Sequence, residues 1–152
     1  MMTSRPTRSE SFLDIAYVLA QRSTCVRRRV GAVLTDAYTH IIGTGYNGVP
    51  KGYKHCIDQP CGGHTHSSGK GLESCLAIHA EQNALMQCPD VMKIDTLYVT
   101  TSPCMHCMKM LLNTSCKCIV YSELYDLAPL DLWHQFGRLS AHVPRNSVGS
   151  QV

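Results

Sequence analysis

The chain has 152 residues, a net charge of +3, 44% apolar and 16% charged residues. That balance excludes wholesale disorder and leaves room for one core rather than two ordinary ones. No apolar run approaches the ~20 residues that span a bilayer, and the opening MMTSRPTRSE is polar and leads into a helical pattern instead of an export signal, so the expectation is an intracellular, cytoplasmic protein without membrane contact.

These features predict a single domain over 1–152, with its core at about 9–143 and a polar tail over 144–152. Nine cysteines in such a chain stay reduced, which moves metal binding ahead of disulfides.

In chain order, Phe12, Ile15, Ala16 and Leu19 recur at helical spacing, and Asp14 follows Ser11 by three residues as in a capping box, predicting a helix from Ser11 to near Arg22. VGAVLT (30–35) and HIIGTGY (40–46) are β-branched runs separated by a short polar turn and predict a hairpin. From 47 to 74 the chain is rich in Gly, Lys, Cys, His and Ser with no sustained period, a length that inside a compact domain implies binding or disorder. Cys56, Cys61, His64 and His66 favour binding.

A helix over 76–87 follows, with Ile78, Leu85 and Met86 as its larger apolar positions, stopped by Pro89. TLYVTT (96–101) reads as a strand, 103–113 as a helix, CIVYS (118–122) as a strand and 130–139 as a helix. An initial hairpin followed by alternating strands and helices predicts a three-layer α/β/α sandwich around one mixed sheet.

The chemistry concentrates in SPCMHC (102–107). Ser102 is placed to cap the helix that follows, with Pro103 at its first position. Cys104 and Cys107 then share one face of the first turn, where unpaired N–H groups and the positive end of the helix dipole favour thiolates. Such a pair serves a metal or a redox reaction equally well. The discriminating feature is His79-Ala80-Glu81 upstream. A redox dithiol has no use for it, whereas a catalytic zinc needs three protein ligands, an open position and a base.

IHAEQNAL (78–85) joined to TSPCMHC (101–107) resembles the cytidine and deoxycytidylate deaminase superfamily, whose signature is H-x-E followed by P-C-x-x-C. RSTC (22–25), RRVGAVL (28–34) and GTGYNGVPKGYKHC (43–56) are similar to its dCMP-acting branch, over about residues 12–125. The resemblance implies a central five-stranded sheet. It also implies a catalytic Zn2+ on His79, Cys104 and Cys107, with Glu81 moving protons as dCMP is hydrolysed to dUMP and ammonia for thymidylate synthesis.

The resemblance assigns Asn47 to the nucleotide sugar, Tyr125 of YSELYD to the pyrimidine and Ser102 to the substrate pocket. It implies a second, structural zinc on Cys25, Cys56 and Cys75, with the fourth ligand left open among Cys61, His64 and His66. Cys88, Cys116 and Cys118 are expected as small core residues and His106 as a bystander. The phosphate falls to the 27–29 arginines or Lys51. Arg27, Arg29, Tyr46, Gly48 and Lys51 are the phosphate or effector positions, and branch members are often hexamers regulated by dCTP and dTTP, with Mg2+ accompanying a triphosphate.

Two rivals remain. One is a deaminase of the same fold acting on tRNA adenosine or on another nucleoside or base, which for tRNA would call for a broader basic face than +3 gives. Nucleic acid is therefore not an expected partner. The other is a non-catalytic zinc module, which would call for four closed ligands and would leave Glu81 without a role.

Overall fold

The computed structural model describes residues 4–67, 70 and 75–145. Its first element, α1 (Arg8–Ala20), is capped by Thr7, four residues before the expected cap Ser11, and the reason is chemical. Thr7 Oγ1 accepts from the Glu10 N–H at 3.1 Å while Glu10 Oε2 accepts from the Thr7 N–H at 2.7 Å. A Glu three residues after the cap reaches back to that N–H, which the shorter Asp14 is less suited to do for Ser11. The buried stripe of α1 is Leu13, Ala16 and Ala20, with Phe12 and Leu19 at its margins and Ile15 at the surface.

The hairpin is as expected. Strands β1 (Gly31–Thr35) and β2 (Ile41–Tyr46) pair antiparallel, Ala32 opposite Gly45. Strand β3 (Thr96–Thr101) pairs antiparallel with the other edge of β1, and β4 (Cys118–Glu123) pairs parallel with β3. A fifth strand, β5 (Leu139–His142), pairs parallel with β4 and completes the order β2-β1-β3-β4-β5. No periodic signal located β5. Only four residues long, it begins at Leu139, the last residue of the expected helix, and runs beyond it.

That last helix, α4 (Leu130–Gln135), is shorter than expected because Gly137 takes φ +72°, a left-handed turn that ends it. The indole N–H of Trp133 then donates to the Leu139 carbonyl at 2.6 Å and fixes the start of β5.

Strands β1 and β3 are buried along their whole length, since helices cover both faces of the sheet. Val33, Tyr98 and Val120 pack under α1. On the opposite face, Ala32, Leu34, Leu97, Val99 and Ile119 pack with α2 (Ala80–Gln87), α3 (Met105–Leu112) and Trp133 of α4. The fold is the expected three-layer α/β/α sandwich on a mixed five-stranded sheet. Burial of a Leu- or Val-sized side chain in such a layer contributes roughly 1.5–3 kcal/mol.

Helix α2 starts at Ala80 rather than at 76, because Ile78 is used elsewhere. Its backbone pairs with Gly48 in an isolated bridge, N–H to O distances 2.8 and 3.1 Å. Met86, an expected apolar position of this helix, is exposed, as is Leu76 at its expected start.

From 47 to 67 the chain is turns without helix or strand. It is anchored by Ile57 N–H to the Thr24 carbonyl at 3.1 Å and by the Arg27 guanidinium, which donates to the carbonyls of His66, Ser67 and Lys70. The remainder of the expected loop (68–69 and 71–74) and most of the expected polar tail (146–152) lie outside the described residues. Among the described residues no helix is long and apolar enough to cross a membrane.

Candidate active site

Two glycines bring α2 against β2. A Cβ on Gly45 would overlap the Ala80 carbonyl oxygen, and one on Gly43 would come within 2.6 Å of the Ala84 oxygen. The helix therefore lies directly on the strand backbone. Asn83 Nδ2 donates to the Tyr46 carbonyl at 2.8 Å and Gln82 Oε1 accepts from the His79 N–H at 2.8 Å. With the Ile78–Gly48 bridge on its other side, His79 is held at the cap of α2 and Glu81 enters its first turn.

The second half of the site comes from the end of β3. Helix α3 is capped by Cys104, not Ser102, so Pro103 stands outside the helix and Cys107 is its third residue. The thiols still converge as expected. Cys104 Sγ lies 3.4 Å and Cys107 Sγ 3.3 Å from His79 Nδ1. Among the described residues this trio is the one group of three metal-ligating atoms gathered within 4.8 Å. Tetrahedral zinc at ordinary Zn–S and Zn–N lengths separates N and S ligands by about 3.6 Å, so the trio fits such an ion with little adjustment.

The electrostatics support a thiolate at Cys104. The Cys107 thiol, and then His79, hold Cys104 at a pKa of about 3 against the cost of burial. Cys107, facing that thiolate and buried, is pushed up. Bonding to Cys104 raises His79. Glu81 is buried at 5% exposure, touches the Cys107 thiol, and burial raises its carboxyl above the usual range. A carboxyl desolvated in this way is suited to carry a proton within the working pH range.

These groups open into one pocket. His79, Glu81, Cys104, Asn47, Ser102 and Tyr125 line it together. Arg27 and Arg28 are its lining cations, with Val30, Ala77 and Thr101 adding surface that sequence reasoning did not single out.

The Asn47 amide is engaged at both ends. Oδ1 accepts from the Val30 N–H at 2.9 Å and Nδ2 donates to the Arg28 carbonyl at 2.8 Å. Arg29, Tyr46 and Lys51 are exposed and, like Gly48, do not line the pocket. His106 is exposed, as a bystander would be.

The cysteines of the long loop are partly assembled. Cys56 and Cys61 are buried with their sulfurs 3.6 Å apart. Although burial opposes it, N–H groups of Leu76 and Gly63 and the thiols of Cys56 and Cys75 hold Cys61 below its ordinary pKa. Cys25 and Cys75 are half-buried and line the reaction pocket. His64 Nδ1 lies 2.7 Å from the Cys61 carbonyl, and both His64 and His66 are exposed. Cys116 is fully buried, whereas Cys88 and Cys118 are half-buried.

Residues 6–123 match the family model of the cytidine and deoxycytidylate deaminase zinc-binding region. Deoxycytidylate deaminase of Mycobacterium phage D29 is 41% identical over 128 residues, spanning 79% of this chain and 98% of the phage protein. The Saccharomyces cerevisiae deoxycytidylate deaminase is 36% identical over 125 residues, or 81% of this chain, and the chain spans only 40% of that longer relative. The crystal structure of dCMP deaminase from cyanophage S-TIM5 in complex with dCMP and dUMP superposes with a TM-score of 0.70 at 28% identity, covering 93% of this chain and all of that one.

Proposed function

The chain belongs to the cytidine and deoxycytidylate deaminase family, and from that premise we propose that it hydrolyses dCMP to dUMP and ammonia, supplying dUMP for thymidylate synthesis. One observation carries the reading: a buried Glu81 touches the His79, Cys104 and Cys107 trio at the floor of a pocket lined by two arginines. The cyanophage relative, crystallised with both dCMP and dUMP, supports the choice of substrate.

His79, Cys104 and Cys107 would hold the zinc. A bound zinc ion supplies Lewis acidity that brings the pKa of water toward neutrality. Glu81 accepts the proton of the attacking water and passes it to N3 of the pyrimidine. It then takes the proton of the hydroxyl added at C4 and delivers it to the departing amine, which leaves as ammonia with the C4 carbonyl formed behind it. The first turn of α2, which carries Glu81, is pinned by Gly45, Gln82 and the Ile78–Gly48 bridge.

Tyr125 walls the base and Asn47 the sugar. The 5′-phosphate falls to Arg28 and Arg27, the cations that line the pocket, because guanidinium groups match phosphate geometry. Arg27 already commits one terminal nitrogen to loop carbonyls.

We assign a structural zinc to Cys56, Cys61, Cys75 and Cys25, with Cys61 as the fourth ligand in preference to His64 or His66. Sulfur proximity supports Cys61, and exposure of both histidines counts against them. Regulation by dCTP and dTTP with Mg2+ is proposed at the exposed Arg29, Tyr46, Gly48 and Lys51 region, together with a homohexameric assembly and a cytoplasmic location. The site's groups come from one sheet, its helices and the loops that join them, which supports a single catalytic domain. Incubating the zinc-loaded protein with dCMP and identifying dUMP by chromatography tests the reading; unchanged dCMP would refute it.

A further inference from the structure

Ser102 is 3% exposed and occupies the junction between β3 and the Cys104–Cys107 pair. A serine directly before Pro is expected to cap the helix that follows, yet α3 is capped by Cys104 with no side-chain hydrogen bond. The hydroxyl is turned elsewhere. Ser102 Oγ accepts from the Tyr125 N–H at 2.7 Å, and the Ser102 N–H donates to the Glu123 carbonyl at 2.9 Å.

One residue thus ties the end of β3 by one bond to the last residue of β4 and by a second to the loop leaving it, and that loop carries Tyr125, which lines the pocket. Ala128 N–H closes the following turn onto the Tyr125 carbonyl at 2.9 Å. Among the described residues, no other side chain holds the Tyr125 backbone.

We infer that Ser102 is a positioning residue for the proposed deamination, its hydroxyl latching the Tyr125 wall to the strand end that carries the metal thiolates. The inference rests on the deaminase reading of the same pocket. Ser102 acts through Tyr125, so its removal loosens the wall while the thiolates and Glu81 keep their places.

A double-mutant cycle on the zinc-loaded protein tests this, with dCMP kinetics, zinc content and amide exchange as readouts. Ser102→Ala should raise KM for dCMP by about tenfold and leave kcat within about threefold and zinc unchanged, the size expected when a backbone N–H loses its partner. The Tyr125 amide should exchange about tenfold faster for the same reason. Ser102→Thr should restore both values, and Ser102→Ala with Tyr125→Ala should be no worse than Tyr125→Ala alone.

Additive effects in the cycle would overturn the latch in favour of direct contact with substrate. So would a fall in kcat at constant KM, or a Tyr125 amide whose exchange does not change in Ser102→Ala. A wild-type protein that turns over no dCMP would instead sink the deaminase reading, and the amide readout separates the two failures.

Discussion

Gly45 of β2 lies under the carbonyl of Ala80 so closely that a Cβ on the glycine would overlap that oxygen. The contact sets the depth of α2 on the sheet, and with it the place of His79 and Glu81. Gly45→Ala should therefore cost about 1–3 kcal/mol, as overpacking does. In a chain of this size that corresponds to a Tm lower by roughly 3–10 °C. Zinc content of the purified variant should fall as well, because the helix cap moves. A variant with unchanged Tm and full zinc would show that α2 is not seated by this contact.

Glu81→Gln keeps the size of the side chain but removes the group that carries protons. The rate on dCMP should fall by at least about 10²-fold while zinc stays bound, in line with general acid–base effects. Steady-state kinetics with metal analysis checks both halves. Full activity in the variant would remove Glu81 from the mechanism.

Asn47 bonds backbone groups at 28 and 30 with both ends of its amide, so its first role is to shape the pocket edge. Asn47→Ala leaves the Val30 N–H without its partner, at a cost of about 1–3 kcal/mol seen in urea unfolding. Asn47→Asp keeps the acceptor for Val30 but turns a carboxylate oxygen toward the Arg28 carbonyl, and should be at least as destabilising. Wild-type stability in Asn47→Ala would show that the amide serves substrate alone.

Metal content separates the loop ligands. Wild-type protein should hold about two zinc ions per chain, and Cys61→Ser about one, since structural sites close with four ligands. His64→Ala and His66→Ala should keep two. Loss of zinc in His64→Ala, with Cys61→Ser unaffected, would exchange their roles.

The catalytic constellation was legible because H-x-E and P-C-x-x-C are short, ordered and chemically specific, and each half lies within a few residues of a helix start. Buried strands were legible for a related reason, since GAVLT and TLYVTT carry apolar residues on both faces. Helix starts were less so. Ile78 has the apolar character of a helix position, but a backbone bridge to a distant glycine claims it. Ser102 has the sequence of a cap, but its hydroxyl finds a partner twenty-three residues away. Strand β5 has four residues, three of them exposed, so neither period nor burial marks it. In each case a contact remote in sequence overrode a local preference. Arg28 illustrates the same limit, because three consecutive arginines look alike until two of them line a pocket and the third faces solvent.

The most direct test of the account is ammonia release by the pure zinc-loaded protein on dCMP, CMP, deoxycytidine and an adenosine-bearing tRNA hairpin. The pocket described here predicts turnover of dCMP ahead of the other three. Turnover of none would contradict the enzyme reading, and preference for CMP, deoxycytidine or the hairpin would contradict the assignment of substrate.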